Sequence, residues 1–191
     1  MRVLVTGGAG FIGSALAARL KSDGHKVVII DNFNDYYDVS LKRRRVEVFL
    51  DGIEVVEGDI TDSELLAKLF VANQFDVVAH VAAQAGVRYS VEHPEAYVQS
   101  NVVGTQTLLE VMKEHSCTRF VYASTSSVYG LNTKVPFRED AAADKPVSVY
   151  AATKRAGELL AHAYHSLYGI EVTCLRFFTV YGPWGRPDMA M

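Results

Sequence analysis

Two rhythms of apolar residues alternate along this 191-residue chain. Short runs rich in Val and Ile, at Arg2–Thr6, Lys26–Ile30, Glu54–Glu57, Asp76–His80, Arg119–Ser124 and Glu171–Phe177, predict strands. Longer stretches with helical spacing predict helices over Phe11–Asp23, Ser40–Leu50, Asp62–Val71, Pro94–His115 and Val149–Tyr168. Asp62 and Ser63 stand where an N-cap is needed, and Gly24 and Gly169 where a helix must stop. Strand–helix alternation builds a parallel sheet, because parallel neighbours need a crossover connection. The expected fold class is therefore α/β, a doubly wound parallel sheet flanked by helices. No internal repeat, low-complexity tract or linker interrupts the pattern, so residues 1–191 read as one domain.

Composition narrows the picture. Nineteen Lys and Arg against 22 Asp and Glu leave a net charge of −3, with 49% hydrophobic residues. A slightly acidic chain whose one basic cluster is Lys42-Arg43-Arg44-Arg45 is a poor candidate for duplex nucleic acid, and that cluster reads as a solvated helix face. Apolar runs such as Val27–Ile30 fall far short of the roughly 18 residues a membrane span requires. No signal peptide precedes the first strand, so the expected location is the cytoplasm, where Cys117 and Cys174 would be buried free thiols. The six histidines form no metal-ligand pattern.

Chemistry begins at Gly7-Gly8-Ala9-Gly10-Phe11-Ile12-Gly13, between the first strand and the first helix. Glycines there let backbone approach a pyrophosphate, and the helix N-terminus offers it free N–H groups and a positive dipole end. Asp31 follows 18 residues after Gly13, at the end of the second strand, where a carboxylate accepts hydrogen bonds from a ribose. This Rossmann-type arrangement favours NAD; a 2′-phosphate would meet Asp31 as a like charge unless one of Arg43 to Arg45 folded back. Asp59, after the third strand, is placed either to reach the adenine or to close a turn.

Tyr150 and Lys154 lie four apart on a helix and share a face. A phenol of pKa about 10 becomes a general base near neutrality only if positive charge favours its anion, by roughly 4 kcal/mol for 3 pKa units. The hydroxyls of Ser124, Thr125, Ser126 and Ser127 close the fifth strand, on the edge where an open α/β sheet holds its ligand.

With these features together, the chain resembles the extended short-chain dehydrogenase/reductase family of nucleotide-sugar epimerases and dehydratases. Further stretches agree: Gly58-Asp59-Ile60, His80-Val81-Ala82-Ala83-Gln84, Asn101-Val102-Val103-Gly104-Thr105 and Ser127-Val128-Tyr129-Gly130. Within the family the UDP-glucuronate 4-epimerases are most similar, on the segments Asp31–Asp38, Ala83–Ser90 and Arg176–Ala190. The resemblance implies NAD held by Gly7, Gly10, Phe11, Ile12, Gly13, Asp31, Asn32, Asp59, Ile60, Ala82, Gln84 and Asn101, with Tyr150 and Lys154 at its nicotinamide end. It also implies that Thr125 assists Tyr150 at the sugar 4-hydroxyl, in a cycle through a 4-keto sugar that regenerates NAD.

For a uronate that ketone is a β-keto acid, so its carboxylate must be held away from the geometry that releases carbon dioxide. Ser126, Ser127 and Thr179 are the candidates for that grip, and hexose 4-epimerases of the family usually carry asparagine where Thr179 stands. Arg88 and Arg186 are candidates for carboxylate or diphosphate. The family also implies a two-fold dimer through the Pro94–His115 and Val149–Tyr168 helices, and a smaller substrate-gripping domain that this chain stops short of. The expectation is a chain that folds around NAD but lacks most substrate-binding energy. The alternatives are a UDP-glucose 4-epimerase, a UDP-glucuronate decarboxylase, a 4,6-dehydratase, which Ser126-Ser127 in place of an acidic pair disfavours, and an NAD-binding module without catalysis.

Overall fold

The computed structural model describes residues 1–131 and 134–188. Six parallel strands, β1 (Arg2–Thr6), β2 (Lys26–Asp31), β3 (Glu54–Glu57), β4 (Val77–His80), β5 (Arg119–Thr125) and β6 (Glu171–Phe177), form one sheet in the order β3-β2-β1-β4-β5-β6. Strand order reverses between β1 and β4, and a crevice outside the carboxyl ends of the strands opens at such a reversal. The expected Rossmann-type sheet is present, with strand ends within a residue of those read from the pattern.

Helices α1 (Phe11–Ser22), α2 (Val39–Phe49) and α3 (Ser63–Asn73) join the first four strands. Asp38 and Asp62 cap α2 and α3 by accepting from Ser40 N and Leu65 N. On one face of the sheet Val3, Val5, Ala17, Val27 and Ile29 pack together. On the other a larger core gathers Leu4, Ile30, Leu66, Phe70, Leu108, Met112, Phe120 and Tyr122. Alternate strand residues serve opposite faces, so the central strands must be apolar on both, as parallel strands usually are.

The single helix expected over Pro94–His115 is three segments. After a one-turn α4 (Tyr89–Glu92), α5 (Pro94–Tyr97) runs through a π turn at Val98–Val103 into α6 (Gly104–Glu114). The wider turn carries Asn101, whose buried side chain accepts from Gln84 N at 2.8 Å and donates to Gln84 O and Thr153 Oγ1. Apolar periodicity cannot reveal one inserted residue, and π turns often mark functional sites. The last helix, α7 (Val149–Tyr168), is capped by Ser148 and stopped by Gly169 at φ 71°.

The basic cluster departs from expectation. Arg43 and Arg44 are solvated, pairing with Glu57 and Glu47, but Lys42 is 5% exposed and Arg45 is 0% exposed. Lys42, Arg45, Val46 and Phe49 fall at the i, i+3, i+4, i+7 spacing of an inward stripe, which a count of charges overlooks. Cys117 is buried, as expected, whereas Cys174 is only half-buried; both are free thiols. No helix is long and apolar enough to cross a membrane, and no group of three His, Cys, Asp or Glu could hold a metal ion, both among the described residues.

Candidate active site

A cleft of about 410 Å³ opens along the carboxyl ends of the strands, within the usual size range of small-ligand sites. Its floor is the glycine loop. Gly7 adopts φ +68°, and a Cβ there would stand 2.7 Å from the Ala82 backbone; a Cβ on Gly13 would stand 2.1 Å from Gly7 O. The loop therefore lies flat only because side chains are missing. Gly10 caps α1 without any side-chain hydrogen bond, and no acidic residue occupies the helix's first turn. The opening N–H groups of a 12-residue helix thus face the cleft with no competing anion, as a pyrophosphate requires.

Most of the proposed dinucleotide contacts line this cleft: Gly7, Gly10, Phe11, Ile12, Gly13, Asp31, Asn32, Ile60, Ala82 and Gln84. Asp31 accepts from Ala9 N at 3.0 Å and Phe33 N at 2.9 Å, so the carboxylate also braces the glycine loop. Gln84 Nε2 is buried without a hydrogen-bond partner. An unsatisfied buried amide costs free energy, and a polar ligand lying along this wall would relieve it. The glycine cradle, the open helix terminus and this amide together fit a dinucleotide.

Two residues from the same set act from behind the wall. Asn101 clamps the Gln84 backbone from the π turn. Asp59 accepts from Thr61 N, Thr61 Oγ1 and Asn32 Nδ2; burial opposes its ionisation, but these bonds outweigh burial and hold its pKa below the ordinary value. This arrangement supplies the turn expected of Asp59, between Gly58 and Ile60 on the cleft wall. Ala82 is held by a further relay. Thr105 Oγ1 donates to Asn101 O and so accepts from His80 Nε2, leaving His80 Nδ1 to accept from Thr6 Oγ1, which accepts from Ala82 N. Burial, reinforced by the Lys154 charge, pushes the His80 pKa down to about 3, so this relay is neutral.

At the other end of the cleft stand Thr125, Tyr150, Lys154, Thr179 and Arg186. Lys154 is 2% exposed, with Nζ 4.1 Å from the Tyr122 ring centroid, and burial brings its pKa down to about 7. Burial also raises the Tyr150 pKa, while a hydrogen bond with Thr125 and the charge of Arg186 pull it back. Among the cleft's cations, Arg186 is the one whose charge lowers the pKa of the phenol. Ser126 and Ser127 sit half-buried on a 3₁₀ turn (Ser126–Tyr129) just behind Thr125, and Arg88 is exposed; none of the three forms part of the cleft wall.

Several groups had no signal strong enough to be singled out from sequence. Asn34, Tyr36, Tyr37 and Lys42 also line the cleft, and Lys42 Nζ donates to Asn34 O and Oδ1, 3.9 Å from the Asp31 carboxylate. Behind the catalytic end, buried Glu158 receives Ser124 Oγ at 2.5 Å, Arg155 at 2.6 Å and a two-pronged contact from Arg176. This ties α7 to the ends of β5 and β6. Met189 and Ala190, at the end of the longest stretch of resemblance, lie outside the described residues.

Sheet order, glycine cradle and the Tyr150–Lys154 helix define a Rossmann-type domain of the dinucleotide-binding kind, with acid–base groups at the strand ends. Residues 3–191 match the NAD dependent epimerase/dehydratase family, and the chain belongs to it. It is 60% identical to UDP-glucuronate 4-epimerase 4 of Arabidopsis thaliana over 98% of its length, which is 44% of that relative. Among solved structures, UDP-glucuronic acid 4-epimerase from Bacillus cereus, in complex with UDP-glucuronic acid and NAD, is 42% identical with a TM-score of 0.91, over all of this chain and 60% of that one. UDP-glucose 4-epimerase from Thermus thermophilus, in complex with NAD, is 35% identical with a TM-score of 0.88, over 98% of this chain and 58% of that one. The chain thus spans about half the length of the relatives it matches.

Proposed function

We propose that residues 1–191 are the NAD-binding half of an enzyme that inverts C4 of a UDP-sugar, converting UDP-glucuronate to UDP-galacturonate. The observation that carries this is that Tyr150, Thr125 and Arg186 line the same cleft as an open glycine cradle. The glycine loop and Asp31 would hold NAD in that cleft, where it would supply reversible hydride exchange with carbon.

The chain's own groups handle the proton. Tyr150 takes it from the 4-hydroxyl as the sugar becomes a 4-keto sugar, and gives it back when the opposite epimer forms. Thr125 donates to the phenolate, Arg186 adds charge that favours it, and Lys154 closes the buried end of the cleft. Thr179 on the wall, with Ser126 and Ser127 behind Thr125, are the hydroxyls assigned to the sugar carboxylate. Arg88 stands outside the cleft, where it could meet only an outlying diphosphate. The exposed apolar residues Val98, Val103 and Leu159 support a two-fold dimer through the Pro94–Glu114 and α7 helices. The reading places the protein in the cytoplasm, where nucleotide sugars are found.

Purified protein should carry NAD, seen by absorbance and mass. Prolonged incubation with millimolar UDP-glucuronate should yield UDP-galacturonate on chromatographic separation. Tyr150→Phe should retain NAD and lose the conversion by about 10²–10⁴-fold. Protein that holds no NAD overturns the reading, and faster conversion of UDP-glucose than of UDP-glucuronate overturns the choice of sugar. An NAD-loaded chain that converts neither removes the activity from residues 1–191.

A further inference from the structure

The segment after β6 leaves one edge of the sheet and ends on the opposite half. Phe177, Phe178, Thr179 and Val180 line the cleft beside Tyr150, yet Trp184 and Gly185 lie against α2, which joins β2 to β3. With strand order β3-β2-β1-β4-β5-β6, that path crosses the carboxyl ends of the strands, including the reversal between β1 and β4. Gly182 passes close enough to Phe11 that a Cβ there would touch its ring at 3.8 Å.

Arg45 receives the crossing segment. Its Nη2 and Nε donate to Trp184 O at 2.7 and 3.2 Å, and Nη2 also reaches Gly185 O at 3.4 Å. On the other side of the same guanidinium, Nη1 donates to Tyr37 OH at 2.7 Å and to Ala9 O of the glycine loop at 3.5 Å. Arg45 is 0% exposed and none of these acceptors is a carboxylate. A buried cation served only by neutral oxygens is an expensive way to fill space, and an aliphatic side chain would pack there more cheaply. What it provides is the planar fork, which bonds Trp184 and Gly185 on one side and Tyr37 and Ala9 on the other at once. Trp184 sits at φ +66°, a left-handed conformation rare for a bulky residue, and its ring packs edge-on to Phe49 at 5.5 Å. A second tie lies further along: Tyr36 OH donates to Asp188 Oδ2 at 2.8 Å, with Arg186 3.4 Å from the same carboxyl group.

We propose that Arg45 is a positioning residue that clasps segment 177–188 across the mouth of the dinucleotide cleft, so that bound cofactor leaves only when this clasp opens. The proposal rests on the cleft holding NAD. A cofactor that is reduced and reoxidised within one turnover has to stay bound between the two halves, and a clasp outside the reacting atoms achieves that without changing their chemistry. The clasp also sets Arg186 against the cleft, where its charge favours the Tyr150 phenolate.

Trp184 is the chain's only tryptophan, so the clasp carries its own reporter. Protein loaded with NADH is mixed in a stopped-flow instrument with excess NAD, and release is followed by the loss of energy transfer from Trp184 to NADH. Arg45→Lys keeps the charge and loses the fork, Arg45→Met loses both, and Asp188→Ala removes the outer tie to Tyr36 together with the Arg186 pair. Release about tenfold faster from both Arg45 variants and about threefold faster from Asp188→Ala is expected, with Trp184 more open to acrylamide quenching in each. A general loss of stability would lower the unfolding midpoint but leave the release rate of the folded fraction unchanged. If the Arg45 variants do not fold, Asp188→Ala decides. Release at the wild-type rate while Trp184 has become quenchable overturns the clasp, as does release from Arg45→Lys at the wild-type rate. Wild-type protein that takes up no NADH overturns the cofactor reading on which the clasp rests.

Discussion

Lys154 sits where an ammonium is hardest to keep, and replacing it with methionine should stabilise the cofactor-free protein in a pH-dependent way. Its pKa is drawn from the ordinary 10.5 to about 7 by burial, which outweighs the pull of Cys174 and Glu158. The unfolded chain then binds more protons than the folded one between pH 7 and pH 10.5, so wild-type stability rises with pH across that window. Below pH 7 the penalty is complete; above pH 10.5 it is gone. At about 1.4 kcal/mol per pH unit, and less near pH 6 where both states are protonated, the wild type gains about 3 kcal/mol between pH 6 and pH 9 from this group. Methionine fills similar volume and titrates nowhere in the range. The stability of Lys154→Met minus that of wild type, from urea unfolding at pH 6, 7, 8 and 9, should therefore shrink by about 3 kcal/mol as pH rises, all other titrations cancelling. A difference that stays flat would mean that the ammonium keeps its ordinary pKa and that water reaches it, and the picture of a dry catalytic end would fall with it.

Two further substitutions probe the frame. Gly13→Ala puts a methyl group 2.1 Å from a backbone carbonyl that cannot yield; a loss of about 1–3 kcal/mol and at least tenfold weaker NADH binding are expected by thermal melting and titration, and an unchanged midpoint would refute the close packing. Glu158→Gln strips the charge that Arg155 and Arg176 share, at a cost of about 3 kcal/mol by urea unfolding at pH 7. Hydrogen bonds from Arg176, Ser124 and Arg155 outweigh burial and hold the Glu158 pKa below its ordinary value, so its contribution is present above about pH 4 and is lost as pH falls through the lower folded value; a loss under 1 kcal/mol at pH 7 would show the network to be ornamental.

The strands were legible because a parallel sheet buried on both faces must be written as short apolar runs, and the caps because Asp62 and Gly169 do jobs few residues can do. The glycine loop was legible for the same reason, since backbone contact at Gly7 and Gly13 excludes every side chain. What escaped was whatever depends on the third dimension. Asn101 and Asp59 carry polar atoms that could meet a ligand or the backbone, and the backbone bonds they make at the π turn and the Thr61 turn have no spacing signal. Lys42 and Arg45 look like solvent-facing charge until α2 is seen to turn them inward, Lys42 onto Asn34 and Arg45 onto Tyr37 and Trp184. Glu158 and Arg176 are 18 residues apart on different elements, with no spacing rule to join them.

The cleft treats charge of either sign alike. Burial takes the Lys154 pKa down and the Tyr150 pKa up, so near neutrality the pair drifts toward two uncharged groups. A neutral phenol is a poor base, and the pull of Glu158 on Lys154 from the same helix falls short of burial. The correction comes from elsewhere: from Thr125 at the end of β5, from Arg186 on the segment that Arg45 clasps, and from whatever positive charge a bound dinucleotide adds beside them. The Tyr-x-x-x-Lys spacing is therefore an address rather than a mechanism. On the proposed function and clasp, the base becomes competent only when the cleft is both loaded and closed, which ties proton transfer to the same two events that hold the cofactor in place.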